Sequence, residues 1–562
     1  MNDKNWPAIS LEEAQARLTA PGAPFETQTV TVRGRAITVW THVPGTAAEV
    51  FARARGFGSR EFLVLEDERV SYDAFARAVC VLAADLKTRG LNKGDRVALA
   101  MRNLPEWPVT LMAALLAGAI VVPLNAWWTG TELAYGILDS GARIVFADGE
   151  RAKRLADLPP SVEHLFVTRG EGGVTLESVI GTPATWASLP EVALPDVPLD
   201  PQDDATIFYT SGTSGAPKGA LGTHRNLTTN IFAQPFSAAR NALRRSPSAL
   251  AGAGEGPDLP ARITLVAVPF FHVVGALSNL MPSMAAGGKL VLMKKFEARE
   301  AARLIEAERI TTAGGVPAIA LALLEQAHDH DLSSLELVTY GGAPSPPSLA
   351  ARVREHLHAM PGQGWGLTET SAACTTHSAE DYLNRPHSCG PVLPVGRLKV
   401  MRDGVEVPPG VVGEVWAYGP NVVKGYWNRP AATAETFVDG WLKTGDLGHL
   451  DAEGFLTIVD RAHDMVIRGG ENIYCIEVEN ILTQHPCVLD AALVGLPHPL
   501  LGEVPGAIVQ TRGVVSEEDL RAFAAERLAA FKVPVKVVVS QMPLPRNEGG
   551  KLAKTKLRAM LA

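Results

Sequence analysis

The segment Tyr209-Thr-Ser-Gly-Thr-Ser-Gly-Ala-Pro-Lys-Gly219 concentrates residue types that handle phosphate. Gly212, Gly215 and Gly219 open a backbone path that side chains would block. The hydroxyls of Thr210, Ser211, Thr213 and Ser214, the loop N–H groups and the Lys218 ammonium then surround a concavity suited to phosphate oxygens. The segment is not a Walker A loop, G-x-x-x-x-G-K-[ST], because Pro217 precedes the lysine and Gly219 follows it. An ordinary polar turn shares the Gly/Ser/Thr content. It rarely combines four hydroxyl residues, three glycines and a Pro-Lys-Gly end.

Other residues with chemical potential are scattered. Trp365-Gly366-Leu367-Thr368-Glu369 puts an aromatic face, a hydroxyl and a carboxylate within five residues. Gly341-Gly342-Ala343-Pro344 follows a strand pattern at Leu337–Tyr340, so a bare backbone falls at a strand's carboxyl end, where α/β sheets bind ligands. Lys551 lies in a glycine-preceded turn, beside the basic run Lys554, Lys556 and Arg558. Taken singly, a buried Trp365, a solvated Asp446, Arg461 or Lys551, and a core His272 are the plainer readings.

Order changes that balance. The loop, then Gly364-Trp-Gly-Leu-Thr-Glu-Thr370, Gly425-Tyr-Trp-Asn428, Gly440-Trp-Leu-Lys-Thr-Gly-Asp446, Asp460-Arg461, Gly469-Gly-Glu-Asn-Ile473 and Pro545-Arg-Asn-Glu-Gly-Gly-Lys551 run in one order over residues 60 to 558. Together they resemble the adenylate-forming superfamily of acyl-CoA synthetases, aryl-CoA ligases, luciferases and amino-acid adenylation domains. The resemblance implies a nucleotide site built from Thr210, Ser211, Gly212, Thr213, Ser214, Gly215, Lys218, Gly341–Pro344, Gly364–Thr368, Asp446 and Arg461. Within it, Trp365 stacks near adenine, Thr368 bonds the α-phosphate, and Glu369 holds Mg²⁺. Asp446 accepts the ribose hydroxyls and Arg461 also reaches the ribose. Lys551 bridges the carboxylate and α-phosphate during adenylation, and His463 is the hinge about which a C-terminal domain rotates. Gly469, Gly470 and Glu471 belong to the loop past which the pantetheine arm of coenzyme A enters.

Two departures stand out. Trp365 replaces the usual tyrosine, keeping a π face without the hydroxyl, and His463 stands where Asp or Lys is usual, a group that titrates near neutrality. Phe270-Phe-His-Val-Val-Gly275 lacks the acidic residue with which amino-acid adenylation domains hold an ammonium. A simple carboxylic acid is therefore expected, with His272 as an aromatic gate. Small or apolar neighbours (Val273, Val274, Ala343, Ala372, Ala373) lean toward a medium- or long-chain fatty acid over an aryl or other ring acid. The expected reaction joins the acid to AMP from ATP, releases pyrophosphate, and passes the acyl group to coenzyme A. Transfer to a carrier protein, a luciferase-like oxygenase and a catalytically silent nucleotide-binding protein are the alternatives.

The elements that must position these residues follow from periodicity. Alternation around Arg33-Gly34 over residues 26–40 predicts a hairpin. Val/Ile-rich runs at Arg96–Ala100, Ile120–Pro123, Arg143–Ala147, Thr264–Pro269 and Leu335–Tyr340 alternate with Ala/Leu-rich helical stretches, which predicts a mostly parallel α/β arrangement. Val109–Pro123 is too short to span a bilayer and reads as a buried helix running into a core strand. Residues 245–260 read as a surface loop. Past residue 390, short strands broken by glycines predict a β-rich unit, and an α+β segment ending in a basic helix follows. With the resemblance, the fold expected is an α/β body of two sandwiched subdomains plus a β-barrel-like unit over residues 1–460, and a mobile α+β lid over 461–562.

At 562 residues the chain is long enough for three or four domain-sized units. Its 46% hydrophobic and 20% charged content excludes a disordered or coiled-coil protein. A net charge of −8, from 52 Lys+Arg against 60 Asp+Glu, supplies no basic footprint for nucleic acid. Cys80, Cys374, Cys389, Cys475 and Cys487 are odd in number and widely spaced, and with an acidic, mixed N-terminus they predict a reduced, cytoplasmic setting. No transmembrane segment is expected; peripheral membrane contact and a homodimer stay open.

Overall fold

The computed structural model describes residues 6–155, 158–210, 216–249, 261–462, 464–469, 471–546 and 552–561. Thr27–Val32 and Arg35–Trp40 form the expected hairpin, with Arg33 and Gly34 both at positive φ, 51° and 74°. That pair of angles gives a two-residue turn a twist matching its strands.

Two large sheets carry the body. The first, seven-stranded, runs Gly219–Thr223, Asp204–Tyr209, Ile120–Pro123, Arg96–Ala100, Ile144–Asp148, His164–Thr168, Val174–Thr175. The second, eight-stranded, runs Ala372–Ser378, Met360–Leu367, Leu337–Gly341, Thr312–Gly315, Ile263–Val266, Lys289–Leu292, Glu61–Leu65, Glu68–Ser71. Both are parallel inside and take antiparallel strands only at edges: Gly219–Thr223 in the first, Ala372–Ser378 and Glu68–Ser71 in the second. The antiparallel edge partners are near in sequence, so a short turn suffices, whereas the parallel pairs inside the sheets need crossovers.

Helices Tyr72–Thr88 and Glu106–Leu116 lie between the sheets, in a core shared by Phe62, Leu63, Val266 and Leu290 of one and Val97, Leu99, Val121 and Phe208 of the other. Every residue of Glu106–Leu116 is buried, as is Ile120–Pro123, so the apolar run is core helix and core strand. Separate apolar clusters cover the outer faces, under Ala298–Glu308, Pro317–Gln326 and Ser348–His356 on the eight-stranded sheet and Gly130–Ser140 on the seven-stranded one. Each large apolar side chain so enclosed contributes about 1.5–3 kcal/mol.

The β-rich unit is a seven-stranded antiparallel sheet whose long members are Phe455–Arg461, Trp441–Leu450, Gly413–Tyr418 and Arg397–Arg402. It packs on the eight-stranded sheet through a cluster of Trp365, Cys374, Cys389, Val415, Ala417 and Leu456. The C-terminal segment has its own five-stranded sheet, from Val466–Arg468, Glu471–Ile473, Val488–His498, Gly502–Thr511 and Lys536–Ser540, with helices Cys475–Leu482, Glu517–Ala525 and Lys554–Leu561. Most of the predicted surface loop, residues 250–260, lies outside the described residues.

Candidate functional site

The glycine-rich segment leaves the carboxyl end of Asp204–Tyr209 and returns as the antiparallel strand Gly219–Thr223. Its mouth is stapled on both sides. The Thr210 N–H donates to the Lys218 carbonyl at 2.9 Å, the Tyr209 hydroxyl to Asp139 Oδ2 at 2.8 Å, and the Tyr135 hydroxyl to the Pro217 carbonyl at 2.9 Å. Ser211, Gly212, Thr213, Ser214 and Gly215 lie outside the described residues. Lys218 Nζ sits 5.1 Å from the centroid of the Tyr426 ring.

Tyr426 turns that contact toward the next segment. Its hydroxyl donates to Glu369 Oε1 at 2.7 Å. Burial, and then the Glu369 charge, push the Tyr426 phenol above its ordinary range, so it remains a donor at any working pH. Glu369 occupies the 3₁₀ turn Thr368–Thr370 between Met360–Leu367 and Ala372–Ser378. The turn is tight: a Cβ on Gly366 would meet the Ala372 carbonyl oxygen at 1.7 Å, and Ser371 and Ala372 take φ of 50° and 85°. Such positions cost about 1–3 kcal/mol each and persist where neighbours over-determine them. Here the Thr370 hydroxyl donates to the Ala372 carbonyl at 2.9 Å, and the Asn230 amide donates to that of Ser371 at 2.5 Å.

At the near end of the same strand Trp365 is 8% exposed, its ring inside the apolar cluster that joins two sheets. Its indole Nε1–H donates to Asp446 Oδ2 at 2.7 Å, and Arg461 Nε lies 3.1 Å from Asp446 Oδ1. Asp446 and Arg461 stand opposite each other on adjoining strands. Gly364 is paired with Gly341, so the bare stretch through Gly342, Ala343 and Pro344 leaves the sheet beside Trp365. The resemblance gave Trp365 an adenine-facing role; its polar edge is engaged with Asp446.

His272 follows Ile263–Val266 and joins Phe271 and Trp127 in one ring cluster, with centroid separations of 4.7 Å (His272–Phe271), 5.0 Å (Trp127–Phe271) and 6.3 Å (Trp127–His272). The approach to it is clamped by Asn103, which is 2% exposed. The Asn103 side chain accepts from the Phe270 N–H at 2.8 Å and donates to the Val268 carbonyl at 3.2 Å. A π-helix, Val274–Leu280, continues from the cluster, a geometry concentrated at functional sites.

Gly469 has a φ of 58° and donates its N–H to the Leu501 carbonyl at 2.8 Å, and Glu471 begins a strand paired with Arg468. Gly470, His463 and Lys551 lie outside the described residues. Cys475 is buried, its Sγ donating to the Asp464 carbonyl at 3.1 Å and its N–H to Asp460 Oδ2 at 2.5 Å. Burial pushes its thiol well up, so it acts as packing.

Among the described residues no group of three or more His, Cys, Asp or Glu could hold a metal unaided. A magnesium ion carried by phosphate oxygens and water needs only one or two protein carboxylates, and Glu369, oriented by Tyr426, fits that donor set. Tyr426, Asn103, Asn230 and Trp127 were not singled out from sequence. Tyr426 alone had a signal, lying inside the ordered segment Gly425-Tyr-Trp-Asn428.

The family model described as AMP-binding enzyme matches residues 50–427, and that of the AMP-binding enzyme C-terminal domain matches residues 477–551. The chain belongs to the AMP-binding enzyme family and is an adenylating enzyme of the acyl-CoA synthetase type. It is 36% identical over 501 residues to a feruloyl-CoA synthase from Amycolatopsis, covering 87% of this chain and 93% of that one. The structure of o-succinylbenzoate CoA synthetase from Bacillus subtilis with its acyl-adenylate intermediate superposes with a TM-score of 0.75 at 31% identity, over 91% of this chain and 97% of that one. A fatty acyl-CoA synthetase of Mycobacterium tuberculosis gives a TM-score of 0.68 at 30% identity, over 92% and 98% of the two chains. No helix among the described residues is long and apolar enough to cross a membrane.

Proposed function

We propose that this protein activates a ring-bearing carboxylic acid with ATP and transfers the acyl group to coenzyme A. One observation carries the nucleotide half. A run of contacts leads from Lys218 through Tyr426 to Glu369, and the strand that delivers Glu369 also delivers Trp365 to Asp446 and Arg461. Groups suited to phosphate and to a ribose diol are thereby held on one continuous framework.

In the first half-reaction a carboxylate oxygen of the acid attacks the α-phosphorus of ATP and pyrophosphate leaves. Lys218 and the Thr210–Gly215 loop bind the phosphates, Thr368 and Lys551 hold the α-phosphate, and Asp446 with Arg461 anchors the ribose. Glu369 would hold a magnesium ion, which would supply charge neutralisation on the phosphates. In the second, the thiol of coenzyme A attacks the acyl carbon past Gly469–Glu471 and AMP leaves with the bonding pair. Rotation of a lid, residues 461–562, about His463 would separate the two steps. The reaction then belongs where cysteines stay reduced, and we place it in the cytoplasm.

The choice of a ring acid rests on the Trp127–Phe271–His272 cluster, an aromatic wall at the expected acid site. It also draws on relatives named for feruloyl and o-succinylbenzoate substrates. This displaces the fatty-acid leaning of the sequence, which drew on small and apolar side chains alone. The fatty-acid reading remains second because one superposing structure is a fatty acyl-CoA synthetase. The test is AMP release, dependent on ATP and coenzyme A, across ferulate, o-succinylbenzoate, benzoate and C8–C16 fatty acids. A ring acid is expected to give the highest kcat/KM. A fatty acid leading by about tenfold, a 1.4 kcal/mol preference, would reverse the assignment.

A further inference from the structure

We infer that Trp365 acts on the nucleotide through Asp446, as the residue that positions the ribose-binding carboxylate. The inference rests on the reading of Asp446 as ribose acceptor and names a specificity residue for it.

Three observations carry it. The ring is packed among Cys374, Cys389, Val415, Ala417 and Leu456, so its surface is taken up by protein. Its one polar atom is spent on Asp446 Oδ2, at 2.7 Å. Asp446 itself is only 4% exposed, with Arg461 on its other oxygen at 3.1 Å. A carboxylate taken that far from water depends on the donors around it. The indole N–H holds one oxygen by a hydrogen bond and the guanidinium stands beside the other as an ion pair, so both act on the carboxylate's orientation. The indole bond, made to a carboxylate, is of the charge-assisted kind that is short, strong and directional.

The bond also spans two sheets. Trp365 belongs to Met360–Leu367 of the eight-stranded sheet and Asp446 to Trp441–Leu450 of the antiparallel sheet. It therefore bears on where the ribose acceptor stands relative to Glu369. A phenyl ring in place of indole would fill much of the same space without a donor, taking the indole's hydrogen bond from Oδ2.

The experiment measures acid-dependent pyrophosphate–ATP exchange with ATP, 2′-deoxyATP and 3′-deoxyATP in the full-length wild type, Trp365→Phe, Asp446→Asn and the double variant. Stacking treats the three nucleotides alike, because they share one base; a ribose-positioning residue does not. Wild type is expected to prefer ATP. Trp365→Phe should cut that preference by about tenfold or more, the effect of one hydrogen bond to a charged group. The double variant should discriminate no less than Asp446→Asn alone. Each preference is a ratio within a single preparation, so loss of folded protein cancels. Trp365→Met, which also lacks a donor, serves if the Phe variant does not fold.

An unchanged ratio with all three nucleotides weakened equally would overturn the inference in favour of stacking. Wild-type exchange that ignores the ribose hydroxyls would overturn it too, by removing Asp446 from the ribose site. Absence of acid-dependent exchange in wild type would instead defeat the functional reading on which it rests.

Discussion

Glu369 is a carboxylate with a partner already in place, and that partner makes a prediction. Tyr426 holds Oε1 at 2.7 Å and stays protonated because burial and the Glu369 charge both oppose its ionisation. Groups that orient a metal-binding carboxylate commonly tune affinity for the ion by about 10–100-fold. Tyr426→Phe should therefore lower kcat/KM for ATP by roughly tenfold and raise the magnesium concentration needed for half-maximal exchange, both read from a magnesium titration. An unchanged magnesium dependence would mean that Tyr426 serves only the packing beside Lys218. Residue types at the site were legible in the sequence because the chemistry restricts them: glycine where backbone must pass, hydroxyls and lysine for phosphate, one carboxylate for a cation. Their pairings were not. Trp365 was visible as a departure, but its acceptor lies 81 residues away on another sheet, and Tyr426 is 57 residues from Glu369.

Periodicity revealed most strands and the helix-to-strand run at 106–123, because alternation and apolar runs are local properties. It could not give strand order, since parallel pairing brings together segments such as Ile263–Val266, Lys289–Leu292 and Thr312–Gly315, with helices between them. Nor could it show that Asn103, lying between strand Arg96–Ala100 of one sheet and helix Glu106–Leu116, would clamp the chain leaving a strand of the other. That clamp sets the direction in which Phe270, Phe271 and His272 emerge. Removing it leaves the Phe270 N–H buried without its acceptor, a loss of about 1–3 kcal/mol. Asn103→Ala is accordingly expected to lower the melting temperature and, in what remains folded, to raise KM for the acid several-fold while KM for ATP stays nearly constant. Equal effects on both substrates would make Asn103 a stabiliser of the core with no link to the acid gate.

At the scale of the whole chain, the body and the C-terminal segment meet at a buried knot of charge. Asp460, at the end of the body's last strand, accepts the Cys475 N–H, and Lys554 of the final helix reaches Asp464 at 3.4 Å. Glu479, 8% exposed, accepts the Leu493 N–H at 2.8 Å in the same neighbourhood. Burial lowers the Lys554 pKa, and the acidic groups around it, Glu479, Asp464 and Asp460 among them, raise it, with the balance above its ordinary value. For Glu479 burial wins: its carboxyl is pushed up to about 7, with the Asp460 and Asp490 charges adding to the rise and Lys554 opposing it. A carboxyl whose folded pKa lies above its unfolded value binds its proton more tightly when folded. Its contribution is thus complete below the unfolded pKa, near 4.5, and is lost as pH rises through about 7. The loss approaches roughly 3 kcal/mol if the full shift is expressed. Glu479→Gln keeps an acceptor for Leu493 and removes the titration. The variant should match wild type in denaturant unfolding at pH 5 and exceed it at pH 8, with the difference opening between those values. A variant less stable than wild type at pH 8 would show that pairing with Lys554 outweighs burial, and that the knot favours an ionised Glu479.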